Sequence, residues 1–143
     1  MKFHLIIDET REEEILVYCH KRTPLTDAIE CLINEESLEI TGFRDNEIKR
    51  LELNEIYCFL SENNKVFALC ENDKFLLKTR LYKLEERLGK DFVKINQSCI
   101  ANIQKIEHFD TSVSGTLKVV FKNKYVDFVS RRQLKNIKER LGL

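Results

Sequence analysis

Glycine is scarce, with four in 143 residues. That leaves little room for a backbone loop closing on a phosphate, and none of the patterns G-x-G-x-x-G, G-x-x-x-x-G-K or G-x-S-x-G occurs. Histidine is scarce too: His4, His20 and His108 lie far apart, and none stands at metal-ligand spacing from a cysteine or aspartate. They read as surface or strand histidines. The carboxylate runs Glu12-Glu13-Glu14, Glu35-Glu36 and Glu85-Glu86 lack a neighbouring apolar pocket that would raise one pKa for acid–base work, so they read as solvated faces. No enzyme, cofactor or metal centre is expected. Long apolar runs are missing as well. Phe3-His4-Leu5-Ile6-Ile7 is closed by Asp8 and is too short for a signal-peptide core or a membrane span, so a cytoplasmic protein without membrane insertion is expected. The five cysteines, Cys19, Cys31, Cys58, Cys70 and Cys99, form no C-x-x-C pair and sit mostly in apolar strand-like runs. In a reducing compartment they read as small buried hydrophobes, with redox sensing as the alternative. There is no solenoid-period repeat, low-complexity tract or heptad run.

Charge of one sign is not in excess, since 24 Lys plus Arg face 24 Asp plus Glu. No global field announces a polyanionic partner. The balance hides an asymmetry. Residues 1–36 hold 4 basic and 9 acidic residues, a net of −5, which leaves 20 basic and 15 acidic residues, a net of +5, in 37–143. The length suits one domain that folds without covalent staples.

Lys2–Ile7 and Ile15–Cys19 are expected as strands about a polar turn. Thr23-Pro24 opens a helix, Thr as N-cap and Pro at the first helical position, with Leu25, Ala28, Ile29, Leu32 and Ile33 forming one apolar stripe. Asn34-Glu35-Glu36-Ser37 is the expected boundary. Short strands follow at Leu38–Thr41, Ile48–Leu53, Glu55–Leu60, Lys65–Cys70 and Lys74–Thr79, with turns at Asn63-Asn64 and Asn72-Asp73. Leu81, Leu84 and Leu88 make a two-turn helix with Gly89 as its C-cap. Strands resume at Phe92–Ile95, Cys99–Ala101, Lys105–Phe109, Leu117–Phe121 and Tyr125–Val129, with turns at Ser114-Gly115 and Asn123. A last helix carries Leu134, Ile137 and Leu141 and ends at Gly142. The result is a mainly β domain with short helices, residues 37–143, behind a strand-and-helix extension, residues 1–36.

Polar and basic residues gather at joints between strands: Ser61-Glu62-Asn63-Asn64-Lys65, Lys94–Ser98 and Val129-Ser130-Arg131-Arg132-Gln133. Gln97 is a poor turn former, but its amide is a paired donor and acceptor suited to a base edge. Arg131 and Arg132 at a helix start oppose that helix's own dipole and call for an external anion; a salt bridge to a neighbouring carboxylate is the alternative.

The run Phe92-Val93-Lys94-Ile95-Asn96-Gln97-Ser98-Cys99-Ile100-Ala101-Asn102 with Ile106, followed by Val129-Ser130-Arg131-Arg132 before Leu134-Lys135, resembles the LytTR-type DNA-binding domain of bacterial transcription regulators. The Leu81-x-x-Leu84 helix and the Ile56–Phe59 strand before Asn63-Asn64 sit where that family has them, and the resemblance covers about residues 38–143. Two departures stand out: Gln97 where Arg, Lys or Asn is frequent, and Ala101 where Val is usual. The resemblance implies an elongated β-β-β sandwich of antiparallel sheets that reads successive major grooves of double-stranded DNA through loops. Carried over by position, the first loop is Asn64 and Lys65. The second is Gln97 with Lys94, Asn96 and Ser98, and the third is Arg132 with Ser130 and Arg131. Asn102 is expected to hold the following turn through backbone bonds. Thirty-six residues are too few for a receiver domain, so a stand-alone regulator is expected, with a homodimer built by the extension and room for a regulatory protein partner. The alternatives are a β-sandwich protein-interaction module without DNA binding, which suits the neutral charge, and a thiol redox sensor.

Overall fold

The computed structural model describes residues 2–111 and 115–143. Residues 2–22 form no regular element there, against the expected strand pair. The polar turn between the two segments is present: the Asp8 carboxylate accepts from the Thr10 amide at 3.0 Å and its hydroxyl at 2.6 Å. Phe3, Leu5, Ile6, Ile7, Ile15, Leu16 and Tyr18 are all exposed. A two-stranded hairpin is marginal without a third element against its apolar side, and among the described residues these side chains are left uncovered.

Helix α1, Pro24–Ser37, starts where its signals say. The Thr23 hydroxyl accepts from the Thr26 amide at 3.3 Å, and the Thr26 hydroxyl accepts from the Thr23 amide at 2.9 Å, a reciprocal cap. Of its stripe, Leu25, Ala28, Leu32 and Ile33 are exposed and Ile29 is half-buried.

The antiparallel body follows: β1 (Ile40–Arg44), β2 (Glu47–Leu51), β3 (Cys58–Glu62), β4 (Lys65–Leu69), β5 (Lys74–Leu77), α2 (Leu81–Arg87), β6 (Phe92–Asn96), β7 (Cys99–Asn102), β8 (Ile106–Thr111), β9 (Leu117–Phe121), β10 (Val126–Val129) and α3 (Arg131–Leu141). Hydrogen bonds group the strands into a seven-stranded sheet, β2-β1-β5-β4-β3-β7-β6, and a three-stranded sheet, β10-β9-β8. Strand edges fall within a few residues of the expected runs. The Ser114 half of the expected Ser114-Gly115 turn lies outside the described residues. Helix α2 is capped by Leu88 in extended conformation rather than by Gly89, and Gly89 instead opens a turn closed by the Phe92 amide on its carbonyl at 3.2 Å, which leads into β6. Helix α3 does end on Gly142 in left-handed conformation, whose amide reaches the Glu139 and Lys138 carbonyls.

Period-2 alternation puts successive side chains of β3, β6 and β7 into two cores. Phe59, Phe92 and Ile100 enter one with Ile40, Leu51, Phe75, Leu77 and Leu84. Cys58, Leu60, Val93, Ile95, Cys99 and Ala101 enter the other with Leu117, Val119, Phe121, Val129 and Ile137. Among the described residues one polar side chain is buried, Asn102, at the end of β7. Its amide donates to the Ile56 carbonyl at 2.8 Å and its oxygen accepts from the Gln104 amide at 3.0 Å, the backbone-holding role expected of it. Cys58, Cys70 and Cys99 are buried as expected; Cys31 is half-buried and Cys19 exposed, because the extension joins neither core.

Burial raises the Cys70 thiol from 9.0 to about 11. Cys99 is also raised, first by its contact with the Cys58 thiol and then by burial, and Tyr125 is raised by burial and by Asp127. In each case the unfolded chain releases protons that the native state keeps, so native stability is fully present below pH 9 and falls as pH rises toward 11. Urea midpoints measured from pH 7 to 11 are expected to hold flat to about 9 and then drop. Removing Asn102 strands the Ile56 carbonyl and the Gln104 amide, and Asn102→Ala is expected to cost about 1–3 kcal/mol in the same assay.

Candidate nucleic-acid interface

The β3–β4 connection is a two-residue hairpin turn. Asn63 and Asn64 both take left-handed backbone, φ 51° and 62°, which suits the twist of the flanking strands and which Asn tolerates better than most residues. Lys65 follows at the start of β4, exposed. The β6–β7 connection is also two residues, Gln97 and Ser98, and its geometry rests on Asn96. The Asn96 amide donates to the Asp127 carboxylate at 3.0 Å and to the Phe128 carbonyl at 2.8 Å, while its oxygen accepts from the Ser98 amide at 2.8 Å. An irregular register between Lys94 and Asn96 accompanies this, and such bulges re-aim the side chain that follows. Asn96 therefore spends its hydrogen-bonding capacity inside the protein. Gln97 and Ser98 stay exposed at the tip.

Backbone bonds join the three loops at one end of the molecule. The Ser61 amide donates to the Ser98 carbonyl at 2.8 Å, tying β3 to the Gln97-Ser98 tip. The Ser130 amide donates to the Ile95 carbonyl at 2.9 Å, tying the start of α3 to the end of β6. Ser130 also caps α3, its hydroxyl accepting from the Gln133 amide at 3.4 Å. At the far end of that helix the Arg140 guanidinium donates to the Lys90 carbonyl at 2.7 Å and the Phe92 carbonyl at 3.2 Å. Together with buried Ile137, these contacts lay α3 along β6 and aim its first turn at the β6–β7 tip.

Arg131 and Arg132 occupy that first turn, exposed and without an ion pair among the described residues. The internal salt bridge that would have explained them is absent from that set. Lys94 differs from the rest: on the α2 side of β6, its ammonium lies 3.6 Å from the Glu85 carboxylate, and its side chain is mostly covered. The structure thus gathers Asn64, Lys65, Gln97, Ser98, Ser130, Arg131 and Arg132 at one end, uses Asn96 as an internal brace, and turns Lys94 toward α2. Asp127 was not singled out in the sequence, yet it anchors Asn96, receives the Phe128 amide at 2.7 Å and lies 3.3 Å from the Tyr125 hydroxyl. An aspartate three residues before an N-cap carries no signal of that role. Among the described residues no group of His, Cys, Asp or Glu could hold a metal ion, and no helix is long and apolar enough to cross a membrane.

Among the described residues, ten antiparallel strands ending in a cluster of hairpin tips and an arginine-bearing helix start define a class of loop-presenting β protein. The chain matches the LytTr DNA-binding domain family over residues 46–142, and it belongs to that family. It is 33% identical over 148 residues to an HTH-type transcriptional regulator, described as uncharacterized, of Staphylococcus aureus strain MSSA476, covering 100% of this chain and 99% of that one. A similarly described protein of S. aureus strain NCTC 8325 / PS 47 is 32% identical over 149 residues, with the same coverage. In fold, the chain is similar to a LytTr DNA-binding domain from Bacillus cereus, with a TM-score of 0.70 and 18% identity, covering 75% of this chain and 100% of that one. Although the relatives' names carry the term HTH, no two helices are consecutive among the described residues here; two strands or more separate each pair.

The Asn96 brace has a direct test. Asn96→Ala is expected to cost about 1–3 kcal/mol and to speed hydrogen exchange of the Ser98 amide, whose acceptor is gone, while amides deep in β3 and β7 keep their protection. Unchanged exchange at Ser98 would count against a bracing role.

Proposed function

We propose that the protein is a sequence-specific, double-stranded-DNA-binding transcription regulator, not an enzyme, that reads successive major grooves through its hairpin tips and the start of α3. The observation that carries this is the pair Arg131 and Arg132, exposed and without an internal ion pair beside Gln97, in a chain of the LytTr DNA-binding domain family. The names of the relatives support the regulatory part. Arg132 donates two hydrogen bonds to the O6 and N7 of guanine, and Gln97 pairs its amide with adenine; Asn64 is the third reader. Lys65, Ser98, Ser130 and Arg131 position the protein on phosphates, as Lys94 does once it releases Glu85. A regulator of DNA acts in the cytoplasm.

Asn64 carries two explanations at once, since its turn needs left-handed backbone whether or not DNA is read. Asn64→Gly separates them, because glycine takes that backbone freely and removes only the side chain. The measurement is titration of each variant against a site selected from a random duplex pool, and against its single-base changes, at several salt concentrations. Arg132→Lys, Gln97→Ala and Asn64→Gly are expected to relax preference at separate base pairs, by about 1–3 kcal/mol wherever a bidentate hydrogen-bond pair to a base is removed. Wild-type discrimination in all three would remove the base-reading role and leave a protein-interaction module as the better account.

The extension, residues 1–36, mediates a homodimer in this reading. Its support is the set of uncovered apolar side chains, from Phe3 to Tyr18 and along α1 at Leu25, Leu32 and Ile33, together with relatives that match across the whole chain. Contiguous uncovered apolar surface marks association, and a two-fold dimer would match paired half-sites. Leu25→Glu with Leu32→Glu is expected to convert a dimer to a monomer in sedimentation and to weaken binding to paired half-sites. A wild-type monomer at micromolar concentration, on and off DNA, would end the proposal.

A further inference from the structure

A recess of about 440 Å³ opens beside the first loop, its polar lining made by Asn64, Lys65, Lys78, Thr79, Arg80 and Lys83. Four of those side chains are cationic, and no carboxylate lines it. Lys65, Arg80 and Lys83 are exposed and have no ion pair among the described residues, whereas nearby carboxylates are occupied elsewhere: Glu62 by Lys74 at 2.7 Å, and Glu85 by Lys94. The Lys78 ammonium stands 4.3 Å from the centroid of the Phe43 ring, which holds its long side chain in place without cancelling its charge. In a chain of zero net charge, uncompensated cations gathered this way are a local choice rather than a spill-over of overall composition.

Position says what they face. Val66 pairs with Leu77, Leu60 pairs with Cys99, and the Ser61 amide meets the Ser98 carbonyl, so the end of β5, the β3–β4 turn and the β6–β7 tip lie at the same end of the sheet. Sheet order places them in a row, the recess at β5 and β4, then the Asn64 turn, then the Gln97 tip, and the Ser130 amide on the Ile95 carbonyl sets Arg131 and Arg132 beside the end of β6. From β5 to β6 is four strand spacings, or about 19 Å. A major groove is about 12 Å wide. A row of that length laid across a duplex overhangs one groove and brings part of it onto a phosphate strand, and the cation-rich end is the part chemically suited to that.

We propose that Lys78, Arg80 and Lys83, with Lys65, form a phosphate-binding patch for the backbone of the same duplex, extending the interface past the first loop onto the flanking sugar-phosphate strand. This rests on the DNA-binding reading above. The patch supplies affinity and register without base information, since contacts to phosphate do not discriminate sequence.

The triple variant Lys78→Gln, Arg80→Gln, Lys83→Gln tests it, titrated in the full chain against the selected site and against an unrelated duplex of equal length. Expected is a loss of affinity of the same factor on both duplexes, and a plot of log affinity against log salt flatter by about two to three units, near 0.9 for each phosphate no longer neutralised. The charge-keeping variant Arg80→Lys with Lys83→Arg should retain the wild-type slope. A triple variant with wild-type affinity and slope overturns the patch while leaving the loop reading intact, and so does one that loses discrimination at unchanged slope. Wild-type protein with no salt-dependent binding to either duplex overturns the DNA-binding reading itself, and the patch with it.

Discussion

Burial of β3, β6 and β7 on both faces is the constraint on which the rest of the molecule depends. Because Phe59 and Ile100 face one core while Cys58, Leu60, Cys99 and Ala101 face the other, these strands cannot slip by one residue without exchanging the contents of both. Register set this firmly in the middle of the sheet fixes the hairpin tips at its end. Asn102 adds a polar check on the same alignment, since its bond to the Ile56 carbonyl exists in one register only. The loops can therefore be short and still hold a fixed position, which is what a surface that reads another surface requires.

That fixed end is stapled laterally by bonds that do not come from the sheet ladder. Asn96 to Asp127 and Phe128, and the Ser130 amide to Ile95, couple the seven-stranded sheet to the β10–α3 connection. Helix α3 is held at both ends along β6, by Ser130 at its start and Arg140 at its finish. The consequence is electrostatic. Arg131 and Arg132 sit at the positive end of their own helix, an arrangement that costs stability in isolation and is offset when an anion arrives. Neutral net charge is thus compatible with a polyanionic partner, because many opposite charges pair elsewhere on the surface while Arg131 and Arg132 have no ion pair among the described residues.

The extension follows different physics. Residues 2–22 carry two short apolar runs suited to strands, yet among the described residues they pair with no strand and their apolar side chains stay exposed. A strand is not a local object; its backbone groups and its apolar face both need a neighbour. Helix α1 forms nonetheless, because its hydrogen bonds are internal and its Thr23–Thr26 cap is local.

The same distinction separates what was legible in the chain from what was not. Helix starts at Thr23-Pro24 and Ser130, the Gly142 stop, the Asn63-Asn64 turn and the alternating strands of 38–129 were determined locally, because caps, turns and period-2 patterns depend on residues within a few positions of one another. So was the family, carried by a stretch of consecutive residues from Phe92 to Asn102 and a second from Val129 to Arg132. Only the tertiary structure decided that Asn96 faces inward to Asp127, 31 positions away, that Lys94 turns to Glu85 on α2, and that Lys78, Arg80 and Lys83 gather beside Asn64. It also decided that the extension's apolar segments stay uncovered and that α2 ends in an extended Leu88. Each of these depends on which elements become neighbours across the sheet, and neighbourhood at that range is set by the packing of the two cores, which no short stretch of the chain encodes.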